Sequence, residues 1–154
     1  MESTNNSGEA GKSLGANLAN STDLSQQGSH SLALEYDLAA APGEPRARIE
    51  HYASQPLNGL RKLSAWIYIS AETQLAPLQV QFFAWTTSEV WSVNEFQVVQ
   101  PNTWTYLETS AFNPVLTYAQ VKMLGIELKL PASSAVTSLK GTAFIDQFYI
   151  ESNP

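Results

Sequence analysis

SLALEYDL, residues 31–38, is the stretch whose alternation decides the fold. Successive side chains of an extended strand point to opposite faces, so Leu32, Leu34, Tyr36 and Leu38 fall on one side and Ala33, Glu35 and Asp37 on the other. The pattern predicts a half-buried strand. The same period of two returns in RARIEHYA (46–53), LSAWIYIS (63–70), PLQVQFFAW (77–85), NEFQVVQ (94–100), TWTYLET (103–109), VKMLGIELKL (121–130) and TAFIDQFYIE (142–151). Turn chemistry separates these stretches in APGEP, PLNG, QPNT, FNP and PASSAVTSLKG. No stretch sustains a helical period. Eight or nine short strands predict an all-β protein, an antiparallel sandwich or barrel.

Strand parity assigns faces. Ala47, Ile49, Leu63, Ala65, Ile67 and Ile69 face the core together if PLNG closes a hairpin through a three-residue loop, Leu57 to Gly59, with Gly59 in the left-handed conformation. Arg48, Glu50, Tyr52, Trp66 and Tyr68 then share the opposite surface. Leu78, Val80 and Phe82 point inward, with Gln79, Gln81, Phe83 and Trp85 outward. Ile126, Leu128 and Leu130 go in and leave Glu127 and Lys129 outside. Residues 1–27 are loop-rich, with at most a short strand near ANLAN (16–20), and residues 28–151 form the core of a single 154-residue module.

Composition narrows the function. The 154 residues are enough for one core that buries roughly 68–70% of the unfolded surface. With no cysteine, disulfides, thiol nucleophiles and Cys-ligated zinc are excluded. Eight basic against 14 acidic residues give a net charge of −6, which argues against nucleic acid, anionic membranes and strongly anionic polysaccharides. No apolar run approaches the roughly 18 residues of a membrane span. MESTNNSGEAGKSLG reads neither as a signal peptide nor as an anchor, and a module cut from a longer exported chain would read the same.

Catalysis has little to build on. His30 and His51 are the only histidines, and neither has triad or metal-ligand spacing. His51 has core parity, which suits a hydrogen-bonded structural role. Glu50, Glu95 and Glu127 could meet across a sheet as a carboxylate pair, but among 14 acids such a pair is easily imagined.

Binding fits the outward faces better. Sugar rings offer flat strips of C–H and a rim of hydroxyls, so a recognising surface needs flat aromatic rings and planar polar groups. Trp85 and Trp91, at the two ends of the polar segment TTSEV, read as exposed for binding, with a core role as the competing reading. Tyr52, Arg48, Gln79, Gln81, Glu127 and Lys129 complete the inventory. Asp146 shares the parity of Phe144, Phe148 and Ile150, where an isolated carboxylate is costly. Ca²⁺ would resolve that cost; so would a salt bridge or a set of loop amides.

GSHSLALEYDL, LSAWIYIS, the Trp-bounded loop, TWTYL, VKMLGIEL and above all KGTAFIDQFYIE resemble the framework of the β-jelly-roll carbohydrate-binding modules of bacterial glycoside hydrolases, most of all the mannan-binding family 27 modules. The resemblance spans about residues 28–151. It implies a two-sheet, galactose-binding-domain-like jelly roll and a groove of tryptophans and polar side chains for a neutral β-glycan, β-1,4-mannan or β-glucan. It also implies a structural Ca²⁺ whose ligands include Asp146 and an early acidic residue, matched here by Glu2. A secreted, monomeric, non-catalytic module tethered to a catalytic domain follows from the same likeness. No tryptophan precedes Trp66, where such modules commonly carry one. The competing reading is a structural sandwich that packs its aromatics against a neighbouring catalytic domain.

Overall fold

In a computed structural model that describes residues 3–4, 17–39, 46–71, 77–109, 114–131 and 138–154, the chain forms eleven strands and one 3-10 turn, Pro114–Thr117. In order the strands are β1 (Ser3–Thr4), β2 (Asn17–Ser21), β3 (Ser31–Ala39), β4 (Arg46–Asn58), β5 (Leu60–Ala71), β6 (Leu78–Thr86), β7 (Trp91–Val93), β8 (Gln97–Val99), β9 (Thr105–Glu108), β10 (Gln120–Lys129) and β11 (Ser138–Ser152). They make two sheets. The front sheet runs β1-β4-β10-β6-β7, with β8 also pairing β6, and the back sheet runs β2-β3-β11-β5-β9. Every strand pairing is antiparallel. The expected two-sheet β-sandwich is the observed architecture.

The core lies between the sheets and is filled by the residues that alternation marked as inward. Ile49, Val80, Phe82, Ile126 and Leu128 enter from the front; Leu34, Leu38, Ile67, Ile69 and Ile145 enter from the back. Each is essentially sealed from solvent, and full burial of such a side chain contributes about 1.5–3 kcal/mol.

The chain does not form the hairpin expected at PLNG. β4 pairs with β10 in the front sheet and β5 with β11 in the back sheet, so residues 58–60 turn a corner between sheets. Gly59 does take the expected left-handed conformation (φ 76°). A Cβ there would stand 2.4 Å from the Thr117 carbonyl oxygen and 2.4 Å from Asn153 Nδ2. Alternation states which side a residue faces but not which strand lies beside it. Arg48, Glu50 and Tyr52 therefore lie on one outer surface of the sandwich, and Trp66 and Tyr68 on the other.

β11 also departs from simple parity. Ala143 and Ile145 point into the core while Phe144 and Asp146 point outward. Gln147 then adopts a positive φ of 50°, and the pairing with β5 shifts between Asp146 and Tyr149. A bulge adds one residue to one strand and reverses the faces beyond it. Phe148 consequently packs against the core, and parity counted back from it misplaced Asp146.

Candidate functional site

The outer face of the front sheet is a grid of cross-strand rows. One row runs Arg46, Lys129, Gln79; the next Arg48, Glu127, Gln81; the third Glu50, Gly125, Phe83, Val93; the fourth Tyr52, Met123, Trp85, Trp91. All eight residues expected to bind sugar lie on this face. The fourth row places Tyr52, Trp85 and Trp91 across four adjacent strands, a span of about 14 Å at the usual inter-strand spacing.

TTSEV is not a free loop between two tryptophans. It is the turn of the β6-β7 hairpin, in which Trp85 and Trp91 are direct cross-strand partners with ring centroids 6.4 Å apart and planes at 67°. The Thr86 hydroxyl accepts the Val90 amide at 3.0 Å, and Glu89 sits at a φ of 64° to close the turn. Trp91 is 41% exposed and Trp85 half-buried. Phe83 has the outward parity expected of it, yet is fully buried, because the Trp91 ring lies on it at 4.9 Å and 13°. Lys122 Nζ stands 4.1 Å from the Trp85 ring centroid.

Next to these rings is a buried charge network. Glu127, fully sealed, accepts Arg48 Nη2 and Arg46 Nη1, each at 2.8 Å, together with Arg48 Nε at 3.3 Å and Gln81 Nε2. Arg48 also reaches Glu50 at 3.5 Å, and the Tyr52 hydroxyl donates to Glu50 at 3.1 Å. The Arg48 guanidinium carbon lies 5.0 Å from the centroids of both Phe83 and Trp91. Phe96 stands over Lys129 Nζ at 4.2 Å and over the Arg46 guanidinium at 5.5 Å. Burial pushes the Tyr52 hydroxyl pKa above the ordinary tyrosine value; the Glu50 charge and hydrogen bond add to this, and Arg48 opposes it.

The grid sorts the expected site residues by access. Tyr52, Trp85, Trp91 and Gln79 reach solvent; Arg48, Gln81, Glu127 and Lys129 are buried beneath the surface they were expected to present. Glu50 and Glu127 do meet across the sheet, but Arg48 bridges them, which leaves neither placed as a general acid or base. Phe83, Phe96 and Lys122 belong to the site and were not singled out as binding residues. Only the outward parity of Phe83 hinted at its role.

Gly125 lies between Glu50 and Phe83 because nothing larger fits. A Cβ would stand 1.9 Å from the Ile49 carbonyl oxygen and 2.7 Å from Phe83 Cζ.

Asp146 stands on the opposite sheet. Its Oδ2 accepts the Gln26 and Gln27 amides, each at 2.9 Å, and its Oδ1 accepts its neighbour Gln147 at 2.7 Å. These contacts leave about one acceptor position of the carboxylate open to a cation. Among the described residues no group of three or more His, Asp or Glu side chains gathers as a metal site. Glu2 lies outside the described residues, and the other ligands of a Ca²⁺ would be backbone carbonyls. His51 has the core parity expected of it, but its buried Nδ1 finds no hydrogen-bond partner among the described residues, against the bonded role expected.

The fold is similar to that of solved carbohydrate-binding modules. One structure, described as showing the promiscuous specificity of carbohydrate-binding modules of the β-sandwich superfamily, matches with a TM-score of 0.59 and 14% identity over 89% of this chain and 53% of that one. The chain thus spans about half the length of that relative. A family 28 module described as specific for non-crystalline cellulose matches at TM-score 0.60 and 14% identity, over 88% of this chain and 82% of its own. A family 22 xylan-binding domain from Paenibacillus barcinonensis matches at 0.52 and 14%, over 99% and 87%. No protein-family model and no curated protein matches the chain. No helix among the described residues is long and apolar enough to cross a membrane.

Proposed function

We propose that this protein is a non-catalytic carbohydrate-binding module that holds a neutral β-glycan, β-1,4-mannan or β-glucan, across the outer face of its front sheet. The observation that carries this reading is the row Tyr52, Met123, Trp85, Trp91, in which three rings that reach solvent share one cross-strand line, with Met123 between Tyr52 and the tryptophan pair, beside the network fixed by Arg48 and Glu127. Aromatic rings in such a row offer flat apolar faces to successive pyranose rings. The buried ion network orients the rings and leaves contact with the ligand to Trp91, Tyr52, Gln79 and the rim. The arginine lock on Glu50 and Glu127 supports binding without bond cleavage. The non-crystalline cellulose specificity of the family 28 neighbour favours the β-glucan arm.

The module would serve an attached glycoside hydrolase outside the cell, as a monomer, keeping it on its polysaccharide. A structural Ca²⁺ held through Asp146 and Glu2 is part of the proposal. Titration with soluble manno- and gluco-oligosaccharides of rising length, followed by tryptophan fluorescence, tests the binding reading. Affinity should rise with length until the row is filled. A flat response across both series and across insoluble polysaccharides would leave the sandwich as a structural domain.

A further inference from the structure

The back sheet carries a second set of rings that the front-face site does not use. Strand register turns Trp66 and Tyr68 of β5, Phe144 and Tyr149 of β11 and Tyr106 of β9 to the outer surface. Trp104, just before β9, joins them through Tyr68. Trp66 and Tyr106 have centroids 5.4 Å apart, Tyr68 and Trp104 5.6 Å, Tyr68 and Phe144 6.4 Å. Interplanar angles of 53°, 56° and 67° show tilted rather than stacked pairs. Phe144 is itself buried, Trp66, Tyr68 and Trp104 are half-buried, and the accessible rings are those of Tyr106 and Tyr149. Tyr106 is 47% and Tyr149 64% exposed.

We propose that this surface is a second glycan-binding face, a platform that lies against an extended, neutral, insoluble polysaccharide. What stands between the rings decides the kind of partner. Among the residues that strand pairing turns outward on β3, β5, β9 and β11 there is no Leu, Ile, Val, Met or Arg. Exposed Arg61 and Ile150 stand at one end of the sheet, where the β5-β11 register shifts and Arg61 Nε donates to Asn153 at 2.8 Å. Protein-docking surfaces centre on rings together with Met and Arg. Here the gaps hold hydroxyls such as Ser70 and Thr142 and carboxylates such as Glu108, which suits rings of C–H edged by hydroxyls. The Tyr106 hydroxyl donates to Glu108 at 2.9 Å, so its oxygen is held ready to accept from a sugar hydroxyl. Acidic side chains outnumber the two lysines, Lys62 and Lys140, on this face, which disfavours an anionic polymer.

The inference rests on the sugar-binding reading of the protein but assigns a different surface, and the test separates the two. Amorphous cellulose, insoluble mannan and insoluble xylan serve as probes in depletion assays, with soluble oligosaccharide titration in parallel. Tyr106→Ala with Tyr149→Ala removes two exposed rings; Trp91→Ala removes the front-face ring. The back-face pair is expected to leave soluble affinity unchanged and to lower partition onto the bound insoluble polymer about tenfold, the cost of losing stacking contacts. Trp91→Ala is expected to lose soluble binding and keep part of the partition. A back-face variant that melts like the wild type and partitions like it on every polymer would overturn this proposal and leave the front face standing. A wild type that binds no probe would overturn both.

Discussion

Trp91 lies flat on Phe83, with ring centroids 4.9 Å apart and planes 13° from parallel. An exposed ring thus seals a buried one, and the residue best placed to meet a ligand also keeps water off the sheet. Trp91→Ala should therefore register in two measurements. Oligosaccharide affinity should fall by one to two decades, or about 1–3 kcal/mol for a lost stacking ring. Chemical denaturation should show a smaller loss of about 0.5–1.5 kcal/mol from the broken aromatic pair. Trp91→Phe should restore most of the stability. Full affinity in a folded Trp91→Ala protein would remove the front row from the binding site.

Glu127 and Lys62 give contrasting electrostatic tests. Glu127→Ala leaves Arg48 buried without its main partner and should destabilise by about 3–5 kcal/mol. Lys62→Ala breaks an exposed pair with Glu108 and should change stability by less than about 1 kcal/mol. Urea denaturation of both variants checks the difference. Similar, small effects would mean that Glu127 does not hold Arg48 in the buried network.

Tyr52 predicts an alkaline signature. Its pKa is raised in the folded protein, so its protonated form is favoured there and its contribution to stability is fully present below the unfolded tyrosine pKa of about 10. That contribution is lost as pH rises through the folded value. Tyr52→Phe has no proton to lose and should show a shallower fall in melting temperature between about pH 9.5 and 11. Superimposable pH profiles for the two proteins would count against the Tyr52–Glu50 hydrogen bond.

Asp146→Ala frees three backbone amides and should lower stability by about 1–2 kcal/mol with or without metal. The proposed Ca²⁺ adds a separate effect, because a ligand bound only to the folded state stabilises by mass action. Chelation should lower the melting temperature of the wild type, added Ca²⁺ should restore it, and Asp146→Ala should show neither response. Identical wild-type melting with and without chelator would remove the ion and leave the amides as the partners of the carboxylate.

Two-sheet architecture and core membership were legible because alternation is local. Leu34, Ile49, Ile67, Phe82 and Ile126 can be assigned inward from their neighbours alone. Which strands adjoin is a long-range property, and the corner at Gly59 shows the consequence: a turn signal read as a hairpin joins two different sheets. The bulge at Gln147 is equally silent, since a strand with one added residue keeps an alternating sequence on both sides. At the site, residue types were readable but access was not. Arg48 and Lys129 have outward parity, and only the positions of Trp91 over the first and Phe96 over the second reveal that they are covered.

Gly125 bears on how this surface can diversify. Side chains that reach solvent, such as Gln79 and Trp91, can be exchanged to redraw ligand preference with modest disturbance to the fold. Gly125 admits no such exchange, since even a methyl group would collide with the backbone of the adjoining strand. A combinatorial library over the front face should therefore vary around a fixed Gly125. In that cross-strand row Phe83 keeps its seat, and any new specificity must be written in the rows on either side of it.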